Sequence, residues 1–178
     1  MKKVLCLLMI ISSITITISA QNWKPTTASV SFKIKQFGLT VKGNFKGFSG
    51  VIKFDPNDLA NSSLYASVDA NTLDTDNGLR NSHLKEKSEY FDVAKYPTLK
   101  MNTTKIIKEG NRFMGYFDLT IKGKTKNVKI PIFFTPDGET ATFQGSTVIN
   151  RRDWSIGGKS LGMGNDVIFT IVVNTTKI

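Results

Sequence analysis

The chain has 178 residues, with 24 Lys and Arg, 14 Asp and Glu, one His and one Cys. This length predicts one folded domain, and 40% hydrophobic with 21% charged residues is a globular composition that excludes wholesale disorder. A single Cys excludes an internal disulfide, and the net charge of +10 raises the question of an anionic partner such as nucleic acid or a membrane surface.

The first twenty residues have the order of segments that an export signal needs. Two lysines at positions 2 and 3 precede an uncharged apolar run at 4–18, and the small residues Ser19 and Ala20 follow it. The run is shorter than the roughly 20 residues of a bilayer span, although an N-terminal membrane anchor is the alternative. We therefore predict a signal peptide at 1–20 and a domain at 21–178 that is periplasmic or secreted and contains no Cys.

The rest of the chain has the periodicity of β-strands. Apolar and polar residues alternate at 30–34, 64–70, 113–121, 128–134, 141–149 and 167–173. Turn-forming residues lie between these rows, at 55–58, 109–111, 122–124 and 136–138. Connections this short favour antiparallel neighbours. We predict an all-β antiparallel domain of about eight strands, as a closed barrel without exposed edges; a two-sheet sandwich has the same periodicity.

One segment, Asp76 to Lys87, departs from this pattern. It has no β-branched residue and contains several helix formers. Thr75, Asp76 or Asn77 is a suitable N-cap. Residues four apart share a helix face, so the pairs 79/83 and 80/84 would face inward. The segment predicts one short helix that covers the barrel.

The residues that usually carry catalysis or bind metals are scarce. His83 is the only histidine, and the adjacent Ser82 would point away from it on a helix, which argues against a Ser-His-Asp site. One His with scattered acids does not supply the three or four ligands of a zinc site. We predict no catalytic residue, no metal and no cofactor, and hence a protein that is not an enzyme.

The basic charge is carried mostly by lysine. Only four of the 24 basic residues are arginine, the side chain that best pairs with phosphate in a bidentate manner. No RNA-binding aromatic signature or recognition helix accompanies the lysines. We therefore expect no nucleic acid partner and a lysine-solvated surface, which would also allow transient contact with an anionic membrane.

Four groups of motifs, taken in order along the chain, resemble the YceI-like family of exported lipid-binding proteins. They span nearly the whole chain after residue 40. The motifs are VKGNFKGFSG and IKFDP (41–50, 52–56); LDT, RNSHLK, YFDV and YP (73–75, 80–85, 90–93, 96–97); GYFDLTIKGKTK (115–126); and NRRDWSIG (150–157).

The resemblance implies an extended, lipocalin-like antiparallel barrel whose apolar tunnel holds a long isoprenoid or other lipid chain. The chain departs from the family pattern in two places. The family usually has Asp where this chain has Asn81, and often has Phe-Gly where it has Trp154-Ser155.

On this interpretation the ligand-binding residues fall into three groups. The predicted wall consists of Phe32, Phe45, Phe54, Leu119, Ile132, Phe143 and Phe169. Leu84, Phe91 and Tyr96 would close the mouth. Arg80 and His83 would meet a polar or anionic head group, or else brace the helix against the barrel rim. Small residues in the inward rows, such as Gly115 and Gly145, would leave room for the ligand.

The predicted function is storage, transport or sensing of an isoprenoid or similar amphiphile, by binding without catalysis. The alternative is an exported interaction or stress-response module whose barrel is packed and holds no lipid. The sequence leaves open whether two barrels pair as a homodimer.

Overall fold

The computed structural model describes residues 21–158 and 160–178. These residues contain nine strands and one α-helix: β1 (Asn22–Gln36), β2 (Leu39–Phe45), β3 (Ser49–Lys53), β4 (Ser63–Asp69), α1 (Gly78–Glu86), β5 (Thr98–Glu109), β6 (Arg112–Ile121), β7 (Lys124–Asp137), β8 (Thr140–Asn150) and β9 (Met163–Lys177). Two short 3₁₀ turns, Ala70–Thr72 and Arg151–Trp154, precede α1 and β9. The predicted signal peptide at 1–20 lies outside the described residues.

The nine strands occupy eight positions in a closed antiparallel barrel. Each strand from β3 to β9 pairs with the next, and β1 closes the ring by pairing with β9 from Trp23↔Lys177 to Gln36↔Met163. On its other side β1 pairs with β2 and then with β3, so these two strands form one interrupted strand. The closure confirms the predicted barrel rather than the two-sheet sandwich.

The interruption between β2 and β3 is held by the turn that precedes α1. Thr72 Oγ1 accepts a hydrogen bond from the Lys46 backbone N–H at 2.7 Å and donates to the Lys46 carbonyl at 3.1 Å. An isolated bridge between Asn44 and Asp74 adds a second connection. The segment that carries α1 is thereby fixed beside β2.

The predicted helix is present as α1, and Asn77 is its N-cap, accepting a hydrogen bond from the Arg80 N–H at 2.9 Å. The four residues of the two predicted inward stripes, Leu79, Arg80, His83 and Leu84, line an open cavity of the barrel. No residue of α1 is buried, because the helix covers this open space and not a packed core. Among the described residues, no helix has both the length and the apolar character that crossing a bilayer requires.

Aromatic side chains fill one end of the barrel. Phe54 is fully buried and packs against Phe113, Phe134 and Phe143 with ring centroids 5.0–5.5 Å apart. Trp23 packs on the same group, and its Nε1 donates to the Phe54 carbonyl at 3.0 Å. We call Trp23, Phe54, Phe113, Phe134 and Phe143 the aromatic plug. The plug fills this end of the barrel, and α1 lies at the opposite end.

Two details differ from the sequence prediction. The sequence of β5 does not alternate along its whole length. A register shift between Thr103 and Lys105 interrupts the alternation, so Leu99 and Met101 are buried before the shift and Ile106 after it. Gly115 and Gly145 do not provide ligand space. Side chains of Phe117 and Ile132 cover Gly115, and Ile130 covers Gly145.

Candidate ligand cavity

The barrel contains an apolar cavity of about 360 Å³ at the end opposite the aromatic plug. Its size lies within the usual range for small-molecule sites, roughly 300–1,000 Å³. The same strands supply the plug at one end and the cavity wall at the other. Strand β1 contributes Trp23 to the plug and Phe32 to the cavity, and β8 contributes Phe143 to the plug and Ile149 to the cavity. Each strand therefore packs at one end and lines the cavity at the other.

Two aromatic pairs shape the cavity wall. The rings of Phe32 and Phe45 lie 5.7 Å apart, and Phe91 packs edge-on against Phe45 at 5.8 Å. Phe32 also lies over Gly43, its partner across the β1–β2 pair, where a Cβ would collide with the ring. Because Gly43 leaves this space, the Phe32 ring can lie flat against the barrel wall.

Trp154 fills part of the wall with bulk that the family often lacks at this position. It is buried, and its Nε1 donates to the Leu119 carbonyl at 3.1 Å. The following residue, Ser155, has a left-handed φ of 56° at the end of the 3₁₀ turn, a conformation that suits the glycine often found there in the family.

Arg151 places a buried guanidinium in this largely apolar wall. The residue is 4% exposed, and it donates to the carbonyls of Gly164 (2.7 Å), Met163 (3.2 Å), Gly158 (3.3 Å) and Ile156. Burial, together with the neighbouring Arg152, lowers the pKa of the Arg151 guanidinium. Arginine stays charged in proteins, and its hydrogen-bond partners in the described residues are neutral carbonyls. The Arg151 guanidinium therefore adds a buried positive charge to the cavity wall.

Arg80 enters the cavity wall from α1. Its Nε donates to Thr75 Oγ1 at 2.8 Å, and its second terminal nitrogen donates to the Thr75 carbonyl at 2.6 Å. Both bonds join α1 to the segment that leads into it, so bracing against the barrel rim and contact with a head group both stay predictions for Arg80. His83 is exposed at the rim and lines the cavity from the same helix.

The structure brings eight of the twelve predicted ligand-binding residues together around the cavity. They are Phe32, Phe45, Arg80, His83, Leu84, Phe91, Leu119 and Phe169. Contact with a ligand stays a prediction for each of them.

The other four predicted residues lie elsewhere. Phe54 and Phe143 belong to the aromatic plug. Ile132 and Phe143 line a separate void of about 40 Å³, and Tyr96 packs against Gly123 outside the cavity. Alternation identifies the inward face of a strand but not the depth of a residue in the barrel, so it did not separate the plug from the cavity.

Several cavity residues were missed from sequence. Met101 and Leu99 lie on β5, whose register shift hid its pattern, while Arg151 and Trp154 lie in a 3₁₀ turn. The motif NRRDWSIG at 150–157 was the available signal for the last two.

The small void of about 40 Å³ lies deeper in the barrel, and its wall is partly that of the cavity. Phe48, Ala66, Met101 and Ile171 line both spaces. These side chains form the floor of the cavity toward the plug.

The fold and the site together define a lipocalin-like, eight-stranded barrel with an apolar cavity at one end. The family model described as the YceI-like domain matches residues 22–175, and the chain belongs to that family. A relative named UPF0312 protein from Vibrio campbellii is 33% identical over 141 residues, which cover 75% of this chain and 74% of the relative.

Solved structures share the barrel. Burkholderia cenocepacia BcnA has a TM-score of 0.79 and 28% identity, over 84% of this chain and 96% of BcnA. A domain from Saccharophagus degradans, described as polyisoprenoid binding and implicated in plant cell wall breakdown, has a TM-score of 0.64 and 13% identity, over 90% of this chain and 99% of that domain. At this identity the second likeness shows the fold alone.

Proposed function

We propose that this protein binds a long-chain isoprenoid or a similar amphiphile in the barrel cavity, without catalysis, after export to the periplasm or beyond. The observation that carries the proposal is the cavity of about 360 Å³ whose apolar wall contains one buried guanidinium. Such a site matches a ligand with an apolar tail and a polar, electron-rich head.

The tail would supply most of the binding free energy. Each methylene moved from water into an apolar site contributes about 0.8 kcal/mol, so about ten buried methylenes contribute roughly 8 kcal/mol before the losses of binding are subtracted. The phenyl rings of Phe32, Phe45 and Phe169 line the cavity and offer apolar surface for this contact.

The head group would lie near Arg151 or Arg80. A carbonyl, carboxylate or phosphate oxygen accepts hydrogen bonds from a guanidinium and would offset its positive charge. Arg80 donates two hydrogen bonds to Thr75, and Arg151 donates to four backbone carbonyls. The exposed His83 at the rim is therefore the better candidate for selecting the ligand class.

A solved domain with a similar barrel offers a precedent for the proposed class of ligand. The Saccharophagus domain of similar fold is described as polyisoprenoid binding. The identity of the lipid and its storage, transport or sensing are parts of the proposal that the cavity alone does not determine.

The test is native mass spectrometry, with lipid extraction, of protein purified from its own host. We expect a mass increase that disappears on extraction and a recovered lipid with an isoprenoid or long alkyl chain. Bare protein, together with no saturable binding of a hydrophobic fluorescent probe, would instead support the packed-core interaction module.

A matched pair of variants locates the ligand. Phe45→Trp adds bulk to the cavity wall and should lower lipid occupancy several-fold with a small change in Tm. Phe143→Trp overpacks the aromatic plug and should destabilise the fold by about 1–3 kcal/mol while lipid occupancy in the folded fraction is retained. Equal loss of stability in both variants, with no change in lipid content, would contradict the assigned cavity.

A further inference from the structure

Exposed apolar side chains surround the mouth of the cavity. Phe37 and Leu39 at the β1–β2 turn are each 74% exposed, Leu161 in the loop before β9 is 90% exposed, and Leu79 at the start of α1 is 71% exposed. Gln36 and Met163, adjacent to these tips, line the cavity, as does Leu79 itself. We call Phe37, Leu39, Leu79 and Leu161 the apolar rim.

Two parts of the rim are fastened together. The Phe37 N–H donates to the Gly162 carbonyl at 2.6 Å, and the Phe37 ring covers the face of Gly162 where a Cβ would collide with it. The β1–β2 turn is therefore fastened to Gly162, the residue that follows Leu161.

Phe37 occupies a backbone position that its side chain does not favour. Gln36 pairs with Leu39, so Phe37 and Gly38 form a two-residue turn, with φ values of 49° and 78°. Two positive φ values define a type I′ turn, which prefers Asn, Asp or Gly at its first position. Asn, Asp or Gly would therefore fit this turn better than the exposed phenylalanine that occupies it.

Three exposed lysines lie on β1 and β2 next to the apolar rim, in a stretch of sequence that contains no acidic residue. Lys33, Lys35 and Lys42 are exposed on β1 and β2, and Lys33 lies directly opposite Lys42. Like charges opposite each other destabilise a sheet. No Asp or Glu occurs at 21–54 or at 154–165, which include both rim tips. This end of the barrel combines exposed apolar tips with exposed lysines on β1 and β2.

We propose that the apolar rim and these three lysines form a docking surface for an anionic lipid bilayer. Apolar tips enter the interface while lysines lie near the anionic head groups. A protein partner fits less well, because stable protein interfaces use about 20–30 residues a side and are depleted in lysine. The inference goes beyond the proposed function, since it concerns the outer surface and does not depend on what the cavity holds.

The experiment is co-sedimentation of the folded protein with vesicles. One set contains phosphatidylcholine and phosphatidylglycerol in a three-to-one ratio, and the other contains phosphatidylcholine alone. We expect binding to the anionic vesicles that weakens with added salt, and binding to the neutral vesicles that is at least about tenfold weaker. Equal affinity for both sets, or no binding to either, would overturn the proposal.

The rim variant is Phe37→Asn combined with Leu161→Ser. Asn suits the type I′ turn, so we expect an unchanged or higher Tm together with an affinity for anionic vesicles lowered at least about tenfold, since two apolar tips are lost. The control is Phe133→Asn combined with Val148→Ser, at exposed positions of β7 and β8. A rim variant that binds like the control contradicts the assignment.

The charge variant is Lys33→Gln, Lys35→Gln and Lys42→Gln, and its control changes Lys53, Lys105 and Lys108, toward the plug end, to Gln. Only the first set should abolish the preference for anionic vesicles. Lipid content by native mass spectrometry should be unchanged in both, which separates this test from that of the proposed function. If the rim variant loses self-association while the wild type binds no vesicles, the surface pairs two copies of the chain instead.

Discussion

Asn81 connects the start of α1 to the segment that precedes it. Its Oδ1 accepts hydrogen bonds from the Thr75 N–H (2.9 Å) and hydroxyl (2.6 Å), while its Nδ2 donates to Asp74 at 2.8 Å. The bond from Asn81, followed by that from the Asp76 N–H, lowers the pKa of the Asp74 carboxyl. An amide can donate to one neighbour and accept from the other, which a carboxylate at 81 cannot do beside Asp74. The departure from the family's usual Asp therefore fits this local network.

We predict that Asn81→Asp destabilises the protein most at neutral pH. Two carboxylates would then face each other, and their repulsion is present only when both are ionised. Thermal unfolding at pH 7 should show a Tm several degrees below wild type, and the difference should shrink as pH falls below the ordinary pKa of Asp.

Asn81→Ala is the control because it removes the hydrogen bonds without adding a charge. In the wild type, the interaction of Asp74 with Asn81 is itself lost as pH falls through the lowered pKa of Asp74. The quantity to compare is therefore the decrease in Tm of Asn81→Asp beyond that of Asn81→Ala. If this additional decrease in Tm is the same at pH 7 and pH 3, repulsion between the two carboxylates is not its cause.

At the scale of elements, α1 is held by polar bonds and rim contacts rather than by a buried face. None of its nine residues is buried, and isolated helices of this length are marginal in water. The Glu89 carbonyl accepts from the Gly157 N–H at 2.7 Å, and the Leu84 carbonyl accepts from the Phe91 N–H at 3.0 Å. These few bonds connect α1 and the chain after it to the cavity rim.

We predict that α1 opens locally and that a bound lipid restrains it. Hydrogen–deuterium exchange should be fast at 78–86 in lipid-free protein and slower by at least about tenfold when lipid is bound, since the ligand would bury Leu84 and Phe91. Strand β8, paired on both sides, should exchange slowly in both states. Unchanged exchange at α1 on lipid binding would mean that the helix does not cover the ligand.

The whole molecule divides into a packed end and an open end. The plug surrounds the fully buried Phe54, whereas Phe169 faces the cavity and is only partly buried. Stability and binding are thus assigned to opposite ends of the same strands.

We predict that Phe54→Ala lowers the free energy of unfolding by about 3–5 kcal/mol, because it leaves a void in close-packed surroundings. Phe169→Ala should lower it by less than half as much and should reduce lipid occupancy instead. Urea unfolding monitored by circular dichroism measures the first effect, and native mass spectrometry measures the second. Similar losses of stability in both variants would argue against the division.

Periodicity and turn residues were sufficient to predict antiparallel strands and one short helix, while the choice of a barrel over a two-sheet sandwich rested on the need to close sheet edges and on the family resemblance. They were not sufficient to predict β5, since the register shift after Thr103 breaks its alternation. Eight predicted ligand residues surround the cavity because the inward face follows from period two. Phe54 and Phe143 were misplaced because depth along the barrel depends on strand stagger, which one strand's pattern does not contain.

The seam between β1 and β9 also bears on how the chain folds. Trp23 pairs with Lys177, and the Ile178 N–H donates to the Asn22 carbonyl at 3.1 Å, so closing the barrel joins the two ends of the described chain. Contacts between residues so distant in sequence form slowly, because the intervening loop entropy is lost first. The ring cannot close until the last strand has been synthesised. Under the proposed export, this late closure would leave the chain without its native barrel during passage across the membrane.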